Sequence, residues 1–280
     1  MGNTDRPNVD IVRTKIARIW PDLADMPVDW IDRGERFDLV FVGSDWVVRI
    51  ARRHADQWRL RREMWLLAQL SAAAPWALPT YDGPAVGGYA RYRYLQGVPF
   101  RPGSALPEAL GGDIRAFLEW LHGRMVAASP KDAKIRWLRR YRAWVNQLAP
   151  DVMPLFSVRE RRKSQERLDE GLRLLESGPW EVGLIHGNVL PRHLLVSGGR
   201  LAGVVDFSQW RVGDAAVDWS GIEGLEEFLS PALAADHLFA ARIRFYRFLR
   251  PFLDIRQALS AGQVEAVERG VQWVRRQLSQ

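Results

Sequence analysis

The stretch LIHGNVLPRHLL, residues 184–195, decides how the rest of the chain is read. Leu184 and Ile185 close a β-like run, EVGLI, and His186, Gly187 and Asn188 follow as a polar turn. His193 then opens a second apolar run, HLLVS, and Gly198 and Gly199 turn the chain into a third, LAGVVDF, which ends at Asp206. Neighbouring strands gather the short polar side chains at their ends around one point. Such a point suits phosphoryl transfer, which needs few parts: a group to orient the attacking hydroxyl, oxygen ligands for Mg²⁺, and a cation on the phosphates. Asp206 is the natural metal ligand, because Mg²⁺ takes hard carboxylate oxygens.

Working outward, the chain changes character near residue 97. Before it, an opening helix over about residues 7–20 leads into β-like runs PVDWIDR, RFDLVFVG and DWVVRIA. Gly43-Ser44-Asp45, between the last two, is hairpin chemistry. A helix follows over about residues 53–72, with Trp58, Met64, Leu66, Leu67 and Leu70 as its apolar positions, and then two further β-like runs, LPTYDG and GYARYRYL. QGVPFRPG reads as a Pro/Gly-rich linker. Beyond it the chain is mainly helical: Ile114, Phe117, Leu118 and Leu121 recur at the spacing of a buried stripe. More helices are expected over about residues 131–148, 158–177, 216–229, 232–250 and 262–278. The fold class is therefore α+β and bilobal, with a small β-rich lobe over residues 1–96 and a larger helical lobe over residues 97–280.

Composition narrows the alternatives. With 280 residues and 47% hydrophobic content, the chain can bury a substantial core. It has no cysteine, so disulfides and thiolate metal sites are excluded. No apolar run approaches the length of a membrane span and the N-terminus lacks a leader's apolar core, so a cytoplasmic protein without a membrane partner is expected. The formal charge of +7 raises a nucleic-acid reading. Against it, the cations are nearly all arginines scattered along helices in runs such as RLRRE and RERRKSQER, which read as solvated faces. Thirteen tryptophans are present, and Trp65, Trp120 and Trp144 read as core.

HGNVLPRHLLVSGGRLAGVVDFSQWRVGDAAVDW, residues 186–219, resembles the catalytic core of the aminoglycoside phosphotransferase family. That family reads HGDxxxxN, then a strand ending I-D-[FW], then GDPAxD. Histidine at His193 resembles the macrolide phosphotransferase branch, which reads HGDxHPGH. The resemblance implies a protein-kinase-like fold, ATP or GTP as co-substrate with Mg²⁺, and a small-molecule hydroxyl as acceptor. It implies Arg49 in the place of the third-strand lysine that grips the phosphates and Glu63 in the place of the helix glutamate that holds this cation. It also implies Gly34 in a weak glycine loop, Tyr94, Leu95 and Gln96 at the adenine hinge, and a metal-coordinating place for His193 beside Asp206. His186 is implied to pack behind the metal site. Asp214 and Asp218 match aspartates that brace the loop and cap the next helix, and with Trp219 they are also candidates to face substrate. Leu190-Pro191-Arg192 replaces the usual His-Pro-Gly, and Ala215 the usual proline.

At position 188 the family carries an aspartate that takes or orients the proton of the acceptor hydroxyl. Asn188 can accept a hydrogen bond there but cannot usefully accept a proton. Losing general-base help costs about 10²- to 10⁴-fold in rate. Two functions follow: an antibiotic-type, macrolide-like O-phosphotransferase impaired or inactive as written, and a pseudokinase-type protein that binds nucleotide or a small molecule without transfer. A macrolide suits the aromatic residues Trp219, Phe228, Phe239, Phe245 and Phe248 better than a polycationic aminoglycoside suits a basic chain.

Overall fold

The computed structural model describes residues 9–33, 36–101, 105–124, 130–178 and 180–279. They form two compact units. One holds residues 1–100 and 192–209, the other residues 101–191 and 210–280.

The first unit is built on a four-stranded antiparallel sheet in the order β1 (Val28–Arg33), β2 (Phe37–Val42), β3 (Trp46–Ala51), β4 (Tyr89–Arg93). The turn between β2 and β3 is made by Gly43, whose φ of 63° lies where a side chain is disfavoured. α1 (Val9–Ile19) lays Val12 and Ile16, one helical turn apart, into a core with Val28, Val40, Val42, Val48 and Ile50. β3 is one of the two inner strands, and its first five residues are all buried. α2 (Gln57–Leu70) buries Leu60, Glu63, Leu66, Leu67 and Leu70. A second sheet pairs β5 (Val98–Pro99), β7 (Leu194–Ser197) and β8 (Arg200–Val204) in that order. The hairpin of β7 and β8 thus lies late in the chain but packs with the N-terminal residues. Its backbone is tied there by Phe100 N–H to Leu194 O at 2.8 Å and Val204 N–H to Ala77 O at 3.0 Å.

The second unit contains α3 (Glu108–His122), α4 (Pro130–Asp151), α5 (Val158–Ser177), β6 (Val182–Ile185), β9 (Arg211–Asp214), α6 (Ala216–Trp219), α7 (Pro231–Ala235), α8 (His237–Ser260) and α9 (Val264–Ser279). α5 starts on a reciprocal cap: Glu160 N–H donates to Ser157 Oγ, and Ser157 N–H donates to Glu160 Oε2. α8 starts on Asp236, whose carboxylate accepts from Leu238 and Phe239 N–H. α5 meets α8 at Gly171, where an added Cβ would fall 1.8 Å from the Phe245 ring, so the close approach requires a residue without a side chain. No described helix is long and apolar enough to cross a membrane.

Several expectations are corrected. The helix expected over residues 216–229 stops at Trp219, because Gly221 and Gly224 follow and Gly224 has a φ of 78°. The helix expected from residue 232 is broken at Asp236, which ends α7 and caps α8. The Pro/Gly-rich linker contains β5, and LPTYDG forms no strand but a single bridge between Tyr81 and Tyr92. β9 went unread, since Gly213-Asp214 looks like turn chemistry. Trp65 is 53% exposed rather than core, and Trp58 is also exposed; both lie on the outer face of α2.

Candidate active site

In the first unit β3, α2 and the end of β8 bring a cation and two carboxylates together. Arg49, in the middle of β3, is buried and stacks on the Phe37 ring with its guanidinium 4.3 Å from the centroid. Its Nη1 lies 3.3 Å from Glu63 Oε1, and its Nη2 donates to Asp206 Oδ1 at 2.5 Å. Ser208 Oγ donates to the same Asp206 oxygen at 2.8 Å, and His193 Nε2 stands 3.4 Å from Asp206 Oδ2. Asp206 follows β8 with a φ of 64°, the one positive φ among the described non-glycine residues. A short polar side chain tolerates this conformation at a cost of about 1–2 kcal/mol, which the two hydrogen bonds to Oδ1 offset.

The electrostatics of these carboxylates are opposed. Burial raises the Glu63 carboxyl to about 7, although Arg49 pulls it down. Tyr81 and the backbone of Phe207 also favour the charged form of Glu63, yet neither carboxyl oxygen has a hydrogen bond of ordinary geometry. Asp206 is also desolvated, but Arg49, His193 and Ser208 together hold it far below the usual carboxylate range. Burial lowers Arg49, but Glu63 and Asp206 outweigh this and hold it firmly protonated.

Among the described residues no group of three or more His, Cys, Asp or Glu is placed to hold a metal. Mg²⁺ does not require such a cage, since it is commonly bound by one or two carboxylates and completes its shell with phosphate and water. Asp206, with its side chain 28% exposed, fits that mode; His193 is a softer donor beside it. Of the expected hinge, Tyr94 donates its N–H to Asp45 O at 2.7 Å and packs on Phe41 at 5.1 Å. Leu95 is half-buried and Gln96 exposed, both between β4 and β5. Gly34 lies outside the described residues.

In the second unit the loop after β6 is organised by Asp218. This fully buried carboxylate accepts from His186 N–H at 2.9 Å and Gly187 N–H at 2.8 Å, and lies 3.0 Å from His122 Nε2. Gly187 takes a φ of 79°, and the N–H of Asn188 donates to His186 Nδ1 at 3.3 Å. Asn188 Oδ1 in turn accepts from Arg250 Nη2 on α8 at 2.8 Å. Because arginine only donates, this contact fixes the amide with its oxygen toward the guanidinium. Asp214 is equally enclosed, by Ala216 N–H at 3.1 Å, Tyr246 Oη at 2.9 Å and Arg242 Nε at 2.9 Å. Trp219 is fully buried, edge-on to Phe239. The hydrogen bonds of Asp214 and Asp218 therefore brace backbone and helix starts.

Four participants had no place in the sequence reading: Ser208, Tyr81, His122 and Arg250. Ser208 had a usable signal, since it stands two residues beyond Asp206 within reach of its carboxylate. The others join from distant segments, and nothing local to them marks the contact.

No curated protein sequence matches the chain. Solved structures do. The GDP and kanamycin complex of APH(2")-IIia is similar with a TM-score of 0.81 and 18% identity, covering 96% of this chain and 98% of that one. "Macrolide 2'-phosphotransferase type I" is similar with a TM-score of 0.74 and 22% identity over 98% and 99% of the two chains. Macrolide 2'-phosphotransferase MphH from Brachybacterium faecium is similar with a TM-score of 0.68 and 20% identity over 94% and 96%. At these identities the likeness establishes the α+β, kinase-like fold. The model of the phosphotransferase enzyme family matches residues 30–253. The chain belongs to the phosphotransferase enzyme family.

Proposed function

We propose that this chain is a cytoplasmic small-molecule O-phosphotransferase that takes its phosphoryl group from ATP or GTP with Mg²⁺, acts on a hydroxyl of a macrolide-like, antibiotic-type acceptor, and is impaired by Asn188. The observation that carries the reading is the double grip of Arg49 on Glu63 and Asp206, at 3.3 and 2.5 Å. It is supported by solved relatives of similar fold in complex with GDP and kanamycin and with ATP and streptomycin.

In this reading residues 1–96 bind the nucleotide. Arg49 presents a planar fork of donors to the phosphates, and Glu63 keeps the fork oriented from behind. Tyr94, Leu95 and Gln96 offer backbone groups to the base, and Gly34 lies in the phosphate-covering loop. Asp206 would hold Mg²⁺ with His193 beside it, and the ion neutralises phosphate charge when bound. Asn188 can orient the acceptor hydroxyl through its amide, but the proton must leave by another route. Asp218 supports this loop from beneath through the His186 and Gly187 N–H groups, while Asp214 and Trp219 are buried in the packing of α6 against α8.

The second reading, a binding protein without transfer, is favoured by one specific contact: the Asn188 oxygen that would receive the hydroxyl is already engaged by Arg250. Thermal unfolding with Mg²⁺ and ATP or GTP, on this chain and on Asn188→Asp, followed by phosphotransfer across macrolides and aminoglycosides, separates the two. Nucleotide is expected to stabilise both proteins, and Asn188→Asp to raise turnover by about 10²- to 10⁴-fold. Stabilisation with no turnover in either protein selects the binding reading. Absence of stabilisation in both sinks the nucleotide site itself.

A further inference from the structure

We infer that the cleft between α2 and residues 80–85 is a binding site for a small organic anion with an apolar, ring-sized body, and that its occupancy is coupled to the Arg49–Glu63 pair. The inference stands on the geometry of the first unit and does not need the proposed function.

The sequence leaves this space open. Helical spacing puts Arg61, Trp65 and Ala68, at i, i+4 and i+7, on the outer face of α2. Ala68, with Gly83 and Ala85 on the opposite wall, is too small to fill the gap. Gly83 turns that wall with a φ of 74°, a conformation that suits a residue without a side chain. The cleft holds about 410 Å³, the size of a small-molecule site rather than of a groove for a folded partner. Its second wall is tied to β4: Asp82 N–H donates to Arg91 O at 2.9 Å, and the Tyr81 ring meets Tyr92 edge-on at 5.3 Å.

The lining states the chemistry of the ligand. Met64, Trp65, Ala68, Pro84 and Ala85 are apolar, and Trp65, 53% exposed, offers aromatic area to a planar body. None of the lining residues is acidic, and Arg61 is the one charged residue among them. Arg61 is exposed and, among the described residues, meets no carboxylate. Asp82, the acid within the opposite wall, is held by Arg91 at 2.7 and 2.9 Å. An anionic group therefore finds a cation at the mouth of an apolar cleft, and an amine finds no partner.

The floor of the cleft carries occupancy inward. Met64, Tyr81 and Ala85 pack on the core of Phe37, Leu60 and Ala90, and Phe37 is the ring on which Arg49 stacks at 4.3 Å. Met64 follows Glu63 on α2, and the buried Tyr81 hydroxyl favours the charged form of Glu63. A ligand seated on Met64 and Tyr81 thus bears on the residues that place both members of the pair. Coupling between two sites requires such a shared element.

The probes are naphthoate, an aromatic carboxylate, and its uncharged amide, titrated by calorimetry into the full chain and three variants. Arg61→Gln removes the charge, Ala68→Trp fills the cleft from an exposed helix position, and Arg53→Gln removes an exposed cation outside it. Naphthoate is expected to bind the chain and Arg53→Gln equally, about fivefold or more weakly to Arg61→Gln, and not measurably to Ala68→Trp. The amide is expected to bind the chain and Arg61→Gln alike. No binding to the chain, or equal binding to the chain and Ala68→Trp, overturns the site, and equal naphthoate binding to the chain and Arg61→Gln overturns the anionic ligand. Self-association of the chain that Ala68→Trp abolishes would make a second copy the occupant and overturn the small ligand. Coupling is read from pH: naphthoate stays ionised between about pH 5 and 8, the range in which Glu63 titrates at about 7. Its affinity for the chain is expected to change about threefold or more across that range and to stay level for Glu63→Gln. The same pH dependence in both proteins overturns the coupling. In the proposed function this coupling makes naphthoate and ATP change each other's affinity by one factor. ATP that binds none of the proteins fails that function and leaves the naphthoate comparisons standing, so the two failures read differently.

Discussion

Glu63 has no solvent exposure, and burial holds its carboxyl near 7 against an ordinary value of 4.5. Between those pH values the unfolded chain has already ionised while the folded protein keeps the proton. Each step up in pH therefore favours unfolding, and the contribution of Glu63, complete below about 4.5, is lost as pH rises through about 7. Asp206 works in the opposite direction. Its carboxyl is depressed, so its contribution is present above its ordinary value of 3.8 and is lost as pH falls toward its folded value. We predict that the thermal midpoint of the unaltered chain falls between pH 5 and 7 and that Glu63→Gln flattens this fall. Parallel curves for the two proteins over that range would rule out Glu63 as the titrating group. The carboxylates are also where sequence legibility was best. Arg49, Glu63, His193 and Asp206 were selected by their order along a familiar pattern, and the structure links all four through the Arg49–Glu63, Arg49–Asp206 and His193–Asp206 contacts. Arg250 was illegible because it meets Asn188 across 62 positions from a helix that carries several arginines, with no spacing to single it out.

Among the elements, α6 and the turn behind it set the height of the Asn188 loop. An added Cβ at Gly221 would fall 1.8 Å from the carbonyl oxygen of Val189, the residue next to Asn188. That contact is with backbone, so a side chain there can be accommodated only by moving the loop. We predict that Gly221→Ala costs about 1–3 kcal/mol, seen as a lower thermal midpoint, and weakens whatever binds at Asn188. Gly112, inside α3, is a matched control, because nothing lies within 4 Å of its added Cβ. Gly112→Ala is expected to gain roughly 0.5–1 kcal/mol through lower unfolded-chain entropy. Equal midpoints for the two variants would contradict this account. Long periodic helices were legible in advance: α5 spans the residues its pattern marked, and α4 differs by a few at its ends. Short strands were not. β5 is two residues long with a proline, and β9 ends in Gly-Asp, so both look like loops until a distant partner supplies the pairing. Trp65 was misread because an aromatic residue within a helical pattern carries no mark of which side the helix buries.

At the scale of the whole molecule, a ligand bound only by the folded chain stabilises it by mass action, by about 2.7 kcal/mol at a hundredfold excess over Kd. If Asp206 holds the ion that bridges to the phosphates, chelating Mg²⁺ removes most of the stabilisation by ATP. We predict a midpoint shift with Mg²⁺ and ATP that EDTA largely reverses, measured at constant ionic strength because the chain carries a formal charge of +7. A shift indifferent to EDTA would exclude a metal bridge. The first unit also has a history in time. Arg49 and Asp206 are separated by 157 positions, roughly 8–30 s of synthesis at about 5–20 residues per second. For most of that interval the growing chain already carries Arg49 and Glu63, and from residue 99 onward β5 waits without β7 to pair with. The carboxylate that completes the cluster arrives on the hairpin of residues 192–209, so translation delivers the first unit in two instalments, with the helices α3, α4 and α5 made in the interval.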